Sequence, residues 1–452
     1  MDAPAERQFA LYAQVAACAV LFRSEFSILF HGVGHSNVTW STWLPIAGAL
    51  AVFFRPSDLR SLLALYLGVV ADITNILPEA PNHWLLTGVV GLSWWAAAAS
   101  AGLAGGRLPS GGALLRRVQP AFRPAIALFY LFTGLWKLNA GFADPIYSCG
   151  PRSWERLVVQ FPSLPGGTDV APAVIRFTWV LEVGGPVLMM LLATRRPMVA
   201  FFAFFHLVLS LDLAQNYQNF SWAMYPLLLL FFEPEAVETA AERWSLDGVF
   251  SVVKQGTLAM FTALVALAWF QPANWYNLRW TFSVALGGAL VLGLCAVAAV
   301  PRVASPAVRR MRVAWLFAGL VFLNGISPIL GFKNRNAWQM YSNVRIEPDV
   351  TNHYLFPRSL DLLGLQSDTV EVVAIDHPGL AAEYVGSGLK LTWWDFRSML
   401  ALYPEVHVTW RRAGEEHTAR SRDAVLTPPP RILRMFIWFR PVGEQVARQC
   451  VW

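Results

Sequence analysis

The chain has 452 residues, of which 56% are hydrophobic and 14% charged, and its mean hydropathy is +0.44. A soluble domain carries about 25% charged residues, so this composition excludes an ordinary soluble protein and favours an integral membrane protein. The net charge of +6 is divided among short connectors, and nucleic acid is therefore not an expected partner. None of the four cysteines forms a CxxC pair, so no metal site is expected.

Apolar runs of membrane length follow one another along most of the chain. A helix needs about 20 mostly apolar residues to cross a bilayer. Eleven runs approach that length, at 8–30, 41–54, 61–78, 83–104, 121–137, 173–193, 197–213, 220–233, 256–272, 280–300 and 312–330. The first run contains Arg23 and Glu25, which are costly in lipid unless they face protein or pair. The sequence predicts an all-α membrane bundle of about eleven transmembrane helices over residues 1–330.

Basic residues are concentrated in alternate connectors, at 55–60, 107–123, 195–196, 243–254 and 302–312. Short cytoplasmic loops accumulate lysine and arginine. The charge pattern therefore predicts that the N-terminus lies inside and the C-terminus outside.

The tail at 331–452 is more charged and alternates between apolar and polar residues. This pattern predicts strands at 369–376, 406–410 and 432–439 and a short helix at 393–403. We expect a small extracytoplasmic α+β domain. Its tryptophans at 393, 394 and 410 are expected in the core, with a peptide or the membrane surface as the alternative contact.

The predicted topology places five polar residues at the outer end of the bundle: Asp72, His83, Lys137, His206 and Asp212. Burial disfavours the ammonium form of a lysine, which would let Lys137 act as a general base near neutral pH. A nearby histidine can orient a substrate or stabilise an anion. A substrate at this depth would be lipophilic, such as a quinone, a polyprenyl lipid or an acyl chain.

Three of these residues, Lys137, His83 and His206, also have a structural interpretation. Lys137 lies near a helix end and can extend its ammonium to the headgroups. His83 can be an interface residue or a cap, and His206 can hydrogen-bond a neighbouring helix.

Four segments resemble motifs of one membrane family. The segment 129–142, FYLFTGLWKLNAGF, is similar to the aromatic helix end with Gly-x-x-Lys-Leu of vitamin K-dependent gamma-carboxylases and their bacterial relatives, the horizontally transferred transmembrane (HTTM) domain proteins. The segments 82–85, NHWL, and 205–207, FHL, resemble that family's Asn-His and Phe-His motifs. The segment 336–342, NAWQMYS, with His353 downstream, resembles its Trp-x-Met stretch.

The resemblance implies a carboxylase-like enzyme that uses reduced vitamin K or a menaquinol. Lys137 would correspond to the catalytic base, and His206 would assist charge stabilisation. Asn82, His83 and Trp136 would line the hydroquinone pocket. The resemblance also implies a bacterial cell membrane as the location and a secreted peptide or protein as the substrate.

Some features depart from the family pattern. The C-terminal domain is much smaller than that of the animal enzymes, and Trp136 stands where those enzymes tend to have a second lysine. The family's disulfide has no clear match, although Cys149 and Cys450 are both predicted outside and could pair.

These departures leave two other functions open besides the enzyme. One is a non-enzymatic accessory protein for binding, maturation or export of a peptide or lipid partner. The other, a transporter, is less favoured because no inverted repeat or polar midplane is visible.

Overall fold

The computed structural model describes residues 2–31, 40–215, 217–268, 275–302 and 311–443. The chain divides into two compact units, which are described separately. Unit 1 comprises residues 1–76, 83–128 and 184–321, and unit 2 comprises residues 77–82, 129–183 and 322–452. Part of the basic connector at 302–312, and Cys450, lie outside the described residues.

Helices dominate the chain from its start to residue 330. In chain order they are α1 (Ala3–His31), α2 (Trp40–Phe54), α3 (Leu59–Ile76), α4 (Asn82–Gly105), α5 (Gly111–Leu135), α6 (Ala140–Ala143), α7 (Cys149–Gln160), α8 (Ala171–Trp179), α9 (Gly185–Met190), α10 (Arg195–Ser210), α11 (Tyr217–Leu229), α12 (Pro234–Trp244), α13 (Leu246–Ala268), α14 (Trp275–Ala299) and α15 (Trp315–Leu330). A π-helical segment, Val180–Gly184, joins α8 to α9, and a 3₁₀ turn, Arg312–Ala314, precedes α15.

Helical structure occupies each of the eleven apolar runs. Among the described residues, seven helical stretches have the length and apolar composition needed to cross a membrane: Ala3–Ile28, Leu59–Ile76, Asn82–Gly105, Ala171–Met190, Leu246–Leu267, Trp275–Ala299 and Arg312–Leu330. The structure thus indicates a multi-pass membrane protein. The count of eleven crossings and the orientation stay predictions.

The tail forms a small antiparallel sheet with three short helices. The strands are β1 (Thr369–Ile375), β2 (Lys390–Thr392), β3 (His407–Arg412) and β4 (Glu415–Arg420), in the spatial order β2-β1-β3-β4. The helices are α16 (Pro378–Tyr384), α17 (Trp393–Leu400) and α18 (Arg431–Arg434). The structure confirms the first two predicted strands of the tail, which correspond to β1 and β3, and the helix that begins at Trp393.

The core of this sheet domain is built from alternate strand residues and from its tryptophans. Val370, Val372 and Val408 are buried together with Trp410. Trp393 packs against the same cluster, and the Trp394 indole donates to the carbonyl of Ile437 at 3.2 Å. The expectation that the tryptophans belong to the domain core is confirmed for Trp410, against which Trp393 packs, while Trp394 is buried outside this cluster.

The predicted strand at 432–439 is wrong. The chain there forms the single turn α18 after Pro430 and then an irregular segment. Its backbone groups bond elsewhere in unit 2: the Trp438 carbonyl accepts from the amides of Asn334 and Arg335, and the Phe439 amide donates to Asp395. These partners satisfy the segment without a place in the sheet.

Candidate active site

Lys137 lies just beyond the end of α5 and is buried. Its backbone amide donates to the Gly134 carbonyl at 3.0 Å, which closes a tight turn after the helix. Its Nζ donates to the Glu182 carboxylate at 2.5 Å and to the Thr133 carbonyl at 3.3 Å. Only 7% of the Lys137 side chain and 12% of the Glu182 side chain are exposed. The ammonium is therefore held by an internal carboxylate, and the interpretation that it extends to the headgroups is wrong.

Glu182 lies in the π-helical segment between α8 and α9. An interruption of this kind in an α-helix often marks a functional site. The helix comes very close to α5 at Gly134, where an added Cβ would lie 2.6 Å from the backbone carbon and oxygen of Glu182. Only glycine permits that approach. The Gly-x-x-Lys spacing thus places the lysine within reach of the carboxylate.

Further hydrogen bonds hold the turn that carries Lys137. The Trp179 indole donates to the Lys137 carbonyl at 2.8 Å. The Asn139 side chain donates to the carbonyls of Trp136 at 2.8 Å and Ser342 at 2.6 Å. These contacts connect the turn to α8 and to the segment after α15. They fix the backbone from which the lysine side chain extends.

His353 packs beside Trp136, with ring centroids 5.5 Å apart. Its Nε2 contacts the Leu135 carbonyl at 2.9 Å, and its Nδ1 accepts from the Leu355 amide at 3.0 Å. These partners require a proton on Nε2 and none on Nδ1. Burial lowers the pKa of His353 below its usual range. The neutral ring therefore has both nitrogens occupied by backbone, which favours a structural role.

Asn82 holds a segment with unusual backbone geometry. Trp338 has φ of +61° and Asn336 has φ of +55°, a region that is costly for a bulky side chain such as tryptophan. The Trp338 amide donates to the Asn82 side-chain oxygen at 3.2 Å, and the Asn336 side chain donates to the carbonyls of Pro78 and Ala80. Strained backbone of this kind clusters at functional sites. The strain lies in the segment that carries the Trp-x-Met resemblance.

Unit 1 brings His83 and His206 to a common aromatic ring. The Phe220 ring lies 6.3 Å from the His83 ring and 4.9 Å from the His206 ring, between centroids. Asp72, predicted at the same end of the bundle, accepts from the Trp84 indole at 2.9 Å. The structure therefore groups two of the predicted site residues in unit 1, while Lys137, Trp136 and Asn82 belong to unit 2.

Glu182, the partner of Lys137, is not among the residues that the sequence pattern predicts for the site. Glu182 is the one acidic residue in the apolar run at 173–193, which also contains Arg176, and a charge in such a run is itself a sign of a partner. Glu25, which is expected to face protein or pair, lies 3.0 Å from Arg279 in a fully buried ion pair.

No family model matches the chain, and no curated protein or solved structure matches it either.

Proposed function

We propose that the chain is a vitamin K-dependent gamma-carboxylase-like membrane enzyme that removes a proton from a lipophilic hydroquinone, such as reduced vitamin K or a menaquinol. The proposal assigns the base to the Lys137–Glu182 pair. The buried contact between these two side chains, at a π-helical segment, is the observation that carries it.

A buried ion pair needs a reason in a membrane protein. Removing two charges from water costs several kcal/mol per ion, which their attraction does not always recover. Charged groups within membrane helices are therefore uncommon and usually functional. Proton transfer is one such function, because the two groups can share or exchange a proton at 2.5 Å.

The hydrogen bonds refine the role of each partner. A lysine ammonium has three donors and no acceptor, so Lys137 cannot take a proton while it donates to Glu182 and Thr133. The group that accepts a proton in this arrangement is the Glu182 carboxylate. The Lys137 amine becomes a base only after its own proton has passed to Glu182. The proposal therefore concerns the pair rather than Lys137 alone.

Trp136, in the same unit as the Lys137–Glu182 pair, fits a hydroquinone chemically. Among the described residues, its buried Nε1 has no hydrogen-bond partner. The hydroxyl groups of a hydroquinone both donate and accept hydrogen bonds, so one of them can accept from an indole N–H. When bound, the hydroquinone would supply an acidic hydroxyl and reducing electrons.

The same proposal includes a location and two partners for the chain. We place the chain in a bacterial cell membrane with eleven crossings, the N-terminus inside and the C-terminal domain outside. The small sheet domain would present a secreted peptide or protein to the site. The lipid bilayer is the other partner.

The test is oxygen-dependent epoxide formation from reduced vitamin K or menaquinol, measured with purified protein in lipid. We expect turnover by the wild type and a loss of about 100-fold or more in Lys137→Met and in Glu182→Gln, the scale of general-base catalysis. Lys333→Met is a matched control, because it removes a lysine of unit 2 that is outside the pair. Each variant is checked for folding by its melting temperature.

A second function is favoured by the same contact. Among the described residues, the members of this ion pair bond only to each other and to backbone, and such a pair can also serve only to hold two segments of the chain together. A folded wild type that oxidises none of several quinols would refute the enzyme and favour the accessory role in binding, maturation or export of a peptide or lipid. Full activity in folded Lys137→Met would refute the pair as the base.

A further inference from the structure

A small cavity lies inside unit 1, between α1, α3, α4 and α11. Its volume is about 20 Å³, which is room for one water molecule or a small ion. Most of the wall is apolar, from alanine, valine, proline and leucine side chains. The polar lining comes from Arg23, Tyr66, Trp84, Thr87 and Asn219.

Arg23 is the charged residue of this lining. A guanidinium carries five N–H donors, and the hydrogen bond of Arg23 within the described chain goes to Ser27. No carboxylate among the described residues forms an ion pair with Arg23. Asp72 attracts it through space, but the Asp72 oxygens accept from Trp84 and Ser41. Within the described part of the chain, most of the guanidinium donors are therefore without an acceptor.

Among the other polar groups of the lining, Asn219 adds a spare donor, whereas the Trp84 N–H and the Thr87 hydroxyl proton are already donated to Asp72 and to the His83 carbonyl. The Asn219 side-chain oxygen accepts from Arg279 at 2.6 Å, which fixes the amide so that its NH₂ group remains to donate. The Trp84 ring lies beside the guanidinium, 5.8 Å from it. The Tyr66 hydroxyl is engaged by Tyr12. A cavity with spare donors and one positive charge is complementary to an anion.

We propose that this cavity binds a small monovalent anion of halide size, held by Arg23 and Asn219. The anion would take up the donors of Arg23 and Asn219 that have no acceptor among the described residues. The apolar remainder of the wall and the small volume disfavour larger anions such as sulfate or gluconate. This inference is independent of the proposed enzymatic function.

The test is the melting temperature of the purified protein as chloride replaces gluconate at constant ionic strength. A ligand that binds only the folded state raises the melting temperature with its concentration. We expect a saturable rise of about 2 °C or more in the wild type. Bromide should reproduce the rise and sulfate should not. Absence of a difference between chloride and gluconate would show that chloride does not bind the folded protein and would overturn the proposal.

Three variants make the test specific. Arg23→Gln removes the charge, and Ala223→Val fills part of the cavity while all donors stay in place. Both should lose the chloride-dependent rise. Arg60→Gln removes an exposed arginine of the same unit and should keep it. If Arg23→Gln fails to fold, Ala223→Val decides, together with bromide anomalous scattering at Arg23 in crystals. A chloride response that persists in folded Ala223→Val, or a bromide peak elsewhere only, would refute the site.

Discussion

At the scale of single residues, two contacts of its ammonium determine what Lys137 can do. A lysine near a helix end has several possible roles, and the sequence alone leaves them open. The chain places a carboxylate 45 positions later at 2.5 Å from Nζ. That partner converts a candidate base into one half of a proton-sharing pair. Such long-range partners are invisible to local sequence patterns because nothing in the 129–142 segment specifies them.

Gln339 is a second residue whose surroundings are unexpected. Its side chain is 1% exposed, and among the described residues neither its amide oxygen nor its amide nitrogen has a hydrogen-bond partner. Replacing it with methionine keeps the length and removes the polar atoms. Because a buried unsatisfied polar group costs about 1–3 kcal/mol, we expect Gln339→Met to raise the melting temperature in detergent.

Gln339→Glu is the informative comparison for this position, because it keeps the shape and adds a buried charge. It should lower the melting temperature. A lower melting temperature for Gln339→Met as well would mean that a water molecule or a bound ligand satisfies the amide in the native protein, and the expectation would be wrong.

At the scale of elements, the apolar helices and the central strands were predictable because their hydrophobic patterns are strong. Strand β4 was missed because Glu415–Arg420 is polar on both faces and half of its side chains are charged. The segment nevertheless pairs with β3, because Ala413 and Gly414, with φ of +51° and +87°, form the two-residue turn of a hairpin. The 432–439 segment resembles a strand because it is rich in apolar residues, but Ile432, Leu433 and Phe436 are exposed and the Trp438 and Phe439 backbone groups bond outside the sheet.

The approach of α5 to the π-helical segment gives a prediction at this scale. In Gly134→Ala the new methyl group would meet the Glu182 backbone at 2.6 Å, so the two helices must separate. We expect a loss of stability of about 1–3 kcal/mol, as for overpacking in a core. If the proposed function holds, hydroquinone turnover should also fall by about 100-fold, because a small misplacement suffices.

Gly288→Ala in α14 is the matched control, since an added Cβ there meets nothing within 4 Å. It should leave the melting temperature unchanged or raise it slightly, because alanine favours helix. Wild-type stability and turnover in Gly134→Ala would contradict the close approach at this helix contact.

At the scale of the whole molecule, composition alone predicts the class of protein, an integral membrane protein. Many apolar helices and a short polar tail follow directly from the hydropathy, because a bilayer imposes length and apolarity on each crossing. The distribution of the predicted site residues between two compact units could not be predicted, since helix packing is decided by pairs of surfaces rather than by one stretch of chain. The tail behaves as an ordinary small domain, with its own core and its own titrating groups.

One of those groups should make the stability of the tail depend on pH. Asp395 is buried beside the Thr392 hydroxyl and the Phe439 amide, and burial raises the pKa of its carboxyl to about 7. In the unfolded chain this carboxyl titrates near 3.9. Between these two values the folded state keeps a proton that the unfolded state has released. Stability therefore falls as the pH rises from about 4 to 7, by an amount on the order of a few kcal/mol.

The measurement is hydrogen exchange of the β1 amides, Thr369–Ile375, in the full-length protein from pH 4 to 8, corrected for the intrinsic pH dependence of exchange. Asp395→Asn keeps an acceptor for the Phe439 amide and removes the titration, so the wild type should lose protection relative to this variant as the pH rises. Taking the difference between the two proteins cancels other titrating groups, such as Glu347, whose pKa is also raised by burial. A difference that stays constant across this range would show that Asp395 is already ionised in the native domain at pH 4.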